Sequence, residues 1–176
     1  NTLKGILDSG SAELPSSSLP DGGQVSIILR GGGLHTPIAI PDNLTPPIDS
    51  AGRRLIITRE ELTSGGVLIT DVLPIITPAA PDAADLPLEL KIVGCDLGAN
   101  NPGVTIRGLR IQASLIGIRA SFNCDNLHID RCFITNCLNA QIYVHDLDLV
   151  NLTNNICVGG EFGIVAKFCR RISNAL

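Results

Sequence analysis

Apolar and polar residues alternate along most of this chain, but only in short bursts, and in the second half the bursts return at a fixed interval. In "QVSIILR" (24–30), Val25, Ile27 and Leu29 alternate with Ser26, Ile28 and Arg30, the period of a strand with one face buried. Further short strands are predicted at 36–40, 53–58, 66–70 and 88–94. Segments 41–52 and 74–87, dense in Pro, Asp and Ala, read as loops. "TREELTSGG" (58–66) has the form of one helical turn, capped by Thr58 with Glu61 three residues on. Residues 1–23, rich in Ser, Pro and Gly, read as a flexible N-terminal arm.

From Gly94 the chain repeats itself. "VTIRGLRI" (104–111), "LHIDRCFI" (127–134) and "VNLTNNIC" (150–157) align at an offset of 23 both times, so Val104, Leu127 and Val150 share one column and Ile106, Ile129 and Leu152 the next. A second strand follows in each unit at 117–120, 141–144 and 163–166, and a third short apolar element is placed near 122–124 and 167–169. A fourth unit opens at 170–176.

A repeat of about 22–24 residues with two or three short strands is one turn of a parallel β-solenoid. Each strand pairs with its equivalents ~4.8 Å above and below, and alternation sends Ile106, Ile129 and Leu152 inward. Differences in repeat length are expected at corners, where Gly117, Gly163 and the Asn residues are placed. The expected architecture is all-β, a single parallel β-helix domain over 24–176. Its first turns (24–87) are irregular, its later turns (88–176) regular, and its last turn incomplete.

"LELKIVGCDLGANNPGVTIRGLRI", "LHIDRCFITNC" and "VNLTNNICVGGEFGIVA" together resemble the right-handed parallel β-helix of the pectin lyase-like superfamily, closely over 88–176 and loosely over 24–87. The resemblance implies the right-handed fold. It does not imply one function, because the superfamily includes lyases, hydrolases, epimerases, phage tailspikes and structural fibres. The galacturonase-type Asn-Thr-Asp, Asp-Asp and Gly-His-Gly elements are absent, so no catalytic residue carries over.

Composition agrees with stacked β-structure: 44% of residues are hydrophobic but only 3% aromatic, there is no Trp, and Tyr143 is the single Tyr. Eighteen Gly and eleven Pro leave little room for long helices. A net charge of −4 without a basic stripe argues against nucleic acid as a partner. No stretch approaches the ~20 apolar residues of a membrane span. The chain begins at Asn1 and contains no Met, which reads as a processed product or a piece of something longer, so the lack of a signal peptide leaves its location open.

Several residues are candidates for chemistry. The cysteines Cys95, Cys124, Cys132, Cys137, Cys157 and Cys169 form no C-x-x-C pair; they read either as disulfides, including cross-links between subunits, or as buried free thiols acting as small hydrophobes. A step of 23 links Asp125, Asp148 and Arg171, so two carboxylates one turn apart could hold a Ca²⁺, or Arg171 could neutralise them; no other cofactor is expected. Arg107 falls beside Asp130 as an ion pair between turns. His128 and His145 occupy different positions of successive turns, which argues against a joint site. An acid/base pair of His145 with Asp146 is weighed against solvated loop polarity, and His35, next to a glycine turn at 31–33, has no visible partner. Asn136, Asn154 and Asn155 resemble the asparagine ladders of β-helix corners, where side-chain amides satisfy backbone groups. The glycosylation triplets at Asn43 and Asn151 read as chance.

Two functions are therefore expected. The first is a structural or adhesive β-helix: a self-assembling subunit of an extracellular fibre, appendage or tailspike-like assembly, stacking through open β-helix ends. Its partner would be itself, with cell-surface polysaccharide as a second, and its location extracellular, cell-surface or virion-surface. Abundant cysteines, an outer surface expected to lack aromatic platforms, and a repeat that stops in mid-turn favour it. The alternative is a polysaccharide lyase or hydrolase, or the N-terminal portion of one.

Overall fold

The structure, a computed structural model, describes residues 24–29, 33–40, 42, 54–59, 63–64, 67–68, 73–80, 92–112 and 115–175. The arm assigned to 1–23 lies outside them, as do Asn43 and Glu61. All regular structure among the described residues is β. Three parallel sheets run through the molecule. The first contains β1 (Gln24–Leu29), β4 (Arg54–Arg59), β9 (Val104–Arg107), β12 (Leu127–Asp130), β15 (Val150–Thr153) and β18 (Ile172–Ala175), in that order. The second contains β2 (Leu34–His35), β7 (Ile75–Ile76), β10 (Arg110–Gln112), β13 (Phe133–Thr135) and β16 (Ile156–Val158). The third contains β3 (Ile38–Ile40), β8 (Val93–Leu97), β11 (Ile116–Ser121), β14 (Ala140–His145) and β17 (Phe162–Lys167). The chain visits the three sheets in rotation, which is a parallel β-solenoid-like architecture.

The register is the one the repeat predicts. Ile106 pairs with Ile129 and Ile129 with Leu152, at steps of 23; Ile118 pairs with Ile142 at 24 and Ala140 with Phe162 at 22. The inward members Ile106, Ile129, Ile111, Ile134, Ile118 and Ile142 are all fully buried. Each such side chain contributes roughly 1.5–3 kcal/mol by leaving water. Columns of similar aliphatic residues therefore supply the core without large rings.

Left-handed residues make the corners. Gly108 (φ 64), Arg131 (φ 53) and Asn154 (φ 54) stand 23 apart and separate the first-sheet strands from the second. Gly103, Asn126 and Leu149 do the same on entry to β9, β12 and β15. The ladder continues through the bend, since Gly108 N–H donates to Asp130 O and Arg131 N–H to Thr153 O, both at 3.0 Å. Such a φ costs a non-glycine residue roughly 1–2 kcal/mol, least for Asn, and these continuous hydrogen bonds offset it.

Four expectations are corrected. The stretch 104–111 is two strands, because Gly108 turns the chain between β9 and β10; the third strand of each turn is thus β10, β13 or β16, whereas Phe122 and Phe168 are left-handed corner residues. Thr58 and Arg59 continue β4 instead of starting a helical turn, and Thr63–Ser64 pairs antiparallel with Val67–Leu68 as the hairpin β5–β6. Ile75–Ile76, inside the expected loop, is β7; a two-residue strand between Pro74 and Pro78 is too short to show alternation. Finally, Gly117 and Gly163 lie within β11 and β17, not at corners.

The two ends of the solenoid differ. At the first-turn end the inward Ile38 and Ile40 are only 1% and 2% exposed, whereas at the last turn Ile164 and Ile172 are 40% and 43% exposed.

Candidate functional site

The outer face of the third sheet carries the largest concentration of chemically capable side chains. Successive outward positions of β11 and β14 place Arg119 beside Tyr143 and Ser121 beside His145, and β17 adds Lys167 beside His145. The corner residues after β11 and β17 contribute Phe122 and Phe168. Their rings approach His145 edge-on from either side, with centroids at 5.1 and 5.4 Å. Tyr143 lies parallel to His145 at 6.5 Å, and the Lys167 ammonium stands 5.7 Å from the Tyr143 ring centre. Phe122 and Phe168 are 52% and 80% exposed. The expectation of an outer surface without aromatic platforms is therefore overturned. Three of the five aromatic residues gather with a histidine along one lane, because residues about one repeat apart become neighbours only once the chain is coiled.

This lane borders an open groove of about 710 Å³ lined by Asp96, Arg119, Phe122, Tyr143 and His145, with Asp42 and the Gly98–Ala99 backbone at its far side. Asp96 accepts both arms of the Arg119 fork, Nε at 2.8 Å and Nη2 closer still, a bond that pushes the guanidinium above its ordinary pKa. Asp42 accepts the Ala99 N–H at 2.8 Å. The groove thus has aromatic walls and an arginine, with Lys167 beside Tyr143 on the same sheet, and both of its acids are held by protein donors. Asp146 follows His145 at the corner, with φ 56 and its side chain exposed.

On the first sheet, Asp130 is a buried hub. Thr153 Oγ1 donates to Oδ1 at 2.8 Å and Asn154 Nδ2 at 3.3 Å; Arg107 Nε lies 3.1 Å and Arg131 Nε 3.7 Å from Oδ2. Burial pushes this carboxyl up, but the Thr153 and Asn154 hydrogen bonds and the two guanidinium groups outweigh it and hold the pKa below the ordinary value. His128 Nε2 is 2.9 Å from the same Thr153 hydroxyl, far from the His145 lane in chain position and on another sheet.

Asp125 and Asp148 do fall one above the other, but their oxygens are turned to protein donors. Asp125 accepts the Asp148 N–H, and Asp148 takes the Arg171 fork at 2.8 and 2.9 Å, which lowers its pKa. Among the described residues no group of three or more His, Cys, Asp and Glu is arranged to hold a metal ion. Asn155 bridges two turns, accepting Cys132 N–H at 2.9 Å and donating to Ile129 O at 2.8 Å, while Asn136 and Asn154 are left-handed corner residues. A further pair, Asn123 Nδ2 to Asn100 Oδ1 at 2.8 Å, follows the same 23-residue step.

All six cysteines are free thiols. Cys95, Cys124, Cys132 and Cys137 are buried, and Cys157 and Cys169 half-buried at the last turn. Two of them stack in register on isoleucines: Cys95 lies between Ile38 and Ile118, and Cys157 follows Ile134. Burial pushes the Cys132 thiol up to about 12 and raises Cys95, Cys124 and Cys157 as well. These are poor nucleophiles. His35 shares the inward column of Ile76, and its buried Nε2 has no hydrogen-bond partner among the described residues.

Compared with known protein families, with curated proteins and with solved structures, the chain matches none.

Proposed function

We propose that this chain is a structural or adhesive β-helix, right-handed and of the pectin lyase-like kind, acting as an assembly subunit at an extracellular, cell or virion surface. The observation that carries this reading is the apolar surface that β16, β17 and β18 expose. The face made by β16, β17 and β18 exposes Ile156, Val158, Phe162, Ile164 and Ile172 together with three strand edges. Such a surface is a template for further strands. The occupant that fits this apolar, self-complementary surface is the same face of a second copy, related by a two-fold axis. Cys157 and Cys169 stand on that face, where an intersubunit disulfide could lock the pair.

Sedimentation of the 176-residue chain over a wide concentration range tests this. The expected result is a concentration-dependent dimer that Ile164→Asp abolishes and reducing agent weakens. A chain that stays monomeric throughout overturns the proposal.

A second reading, a carbohydrate-active protein, rests on the third-sheet groove. Aromatic rings beside cationic groups suit the C–H faces and carboxylates of a uronate chain. Release of reducing ends or unsaturated products from uronate polymers, lost in Tyr143→Ala, would favour it over the scaffold.

A further inference from the structure

The corner between the first and second sheets holds a pocket of about 330 Å³. Its polar wall is Arg59, Arg107, Arg131 and Asn154; its apolar floor includes Leu73, Phe133 and Ile156. The coil places the arginines together: Thr58 pairs with Arg107 and Arg107 with Asp130, so Arg59, Gly108 and Arg131 follow one another up the corner. At Gly108 a side chain would be strained by the φ of +64° and would also press on Arg59, whose Nε and Cγ lie 3.3 and 3.4 Å from the added Cβ. The Phe133 ring is held in turn by the Arg110 guanidinium, 5.5 Å from its centre.

Arginines outnumber carboxylates among the described side chains around Asp130. Arg107 and Arg131 both approach one carboxylate oxygen, Asp130 Oδ2, and the other oxygen is taken by Thr153 and Asn154. Two guanidinium groups therefore share one anion at the rim of a cavity that no acidic side chain among the described residues lines. Guanidinium forks match the geometry of oxyanions, and an apolar floor below them favours an anion that carries a ring or chain.

We propose that this corner pocket binds a small organic oxyanion, a phosphate or sulfate monoester with an apolar body, its oxygens on Arg107 and Arg131 and its body against Phe133 and Ile156. The arginine pair supplies orientation and the floor supplies selectivity over the bare inorganic ion. This site is separate from the third-sheet groove and shares only Ile156 with the proposed dimer face.

Calorimetric titration of the intact chain with phenyl phosphate, and separately with inorganic phosphate, tests the assignment. Phenyl phosphate is expected to bind at least tenfold more tightly than inorganic phosphate, and to weaken as salt is raised. Arg131→Gln, at an exposed position, is expected to cut that affinity at least tenfold, and Arg170→Gln to leave it unchanged. Circular dichroism checks folding, and Arg107→Gln, expected to behave like Arg131→Gln, provides a second variant. No binding of phenyl phosphate by the native chain overturns the proposal. So does equal affinity for the two phosphates, or unchanged binding in the folded arginine variants.

Discussion

Gly117 offers the sharpest test of the stacked interior. It lies in β11 opposite Gln141 of β14, with Gly163 of β17 next in the same column. A Cβ added at Gly117 would stand 2.5 Å from Gln141 O, 2.5 Å from Ile134 Cγ2 and 3.2 Å from Cys137 Sγ. Ordinary carbon–carbon contacts are ~3.5–4.0 Å, so the methyl is about 1 Å too close to a branched side chain. It also meets a backbone oxygen that cannot retreat, because the ~4.8 Å spacing of turns is fixed by the ladder. Overpacking of this kind costs about 1–3 kcal/mol, and Gly117→Ala is placed at the top of that range. At Gly163 the added Cβ meets only Cys157 Cβ at 4.0 Å. Gly163→Ala should therefore be neutral or stabilising by up to ~1 kcal/mol, through the lower entropy of the unfolded chain. The two chemically identical substitutions should differ by about 3–4 kcal/mol. Urea denaturation reads the difference as a shift in midpoint at constant slope. Equal midpoints for the two variants would refute the packing argument.

Asp130→Asn should cost about 1–2 kcal/mol near neutral pH, since it removes charge from a hub whose arginine partners are partly exposed. Because the folded pKa of Asp130 is depressed, its stabilisation is present above the unfolded value of about 3.9 and lost as pH falls through the lower folded value; the gap between wild type and variant should close between about pH 5 and pH 2 in urea midpoints, and a gap that widens on acidification would contradict the assignment. Thiol titration with an aromatic disulfide should modify Cys157 and Cys169 first and leave the four buried thiols until unfolding. Fast modification of all six in the native chain would contradict the burial described.

Much of the fold was legible in the sequence because a solenoid is nearly one-dimensional. A step of 23 places Ile129 on Ile106, and no distant segment is needed to make that pairing specific. The Arg107–Asp130 pair was legible for the same reason. Position within a turn was not. A single left-handed residue at Gly108 splits what reads as one strand, and the alternation of side chains carries no mark of the bend. Gly117 reads like any flexible corner glycine, and only the proximity of Gln141 O and Ile134 shows that it fills a place too small for a methyl.

The sequence by itself determined that the chain is stacked parallel β-structure with aliphatic columns inside, because hydrophobic period and repeat length are local quantities. The tertiary structure decided what faces outward together. Phe122, His145 and Phe168 form a lane, and Arg59, Arg107 and Arg131 meet at one pocket. These depend on how each corner aims the following strand. Those directions are set by backbone angles and packing across turns, which no spacing along the chain records.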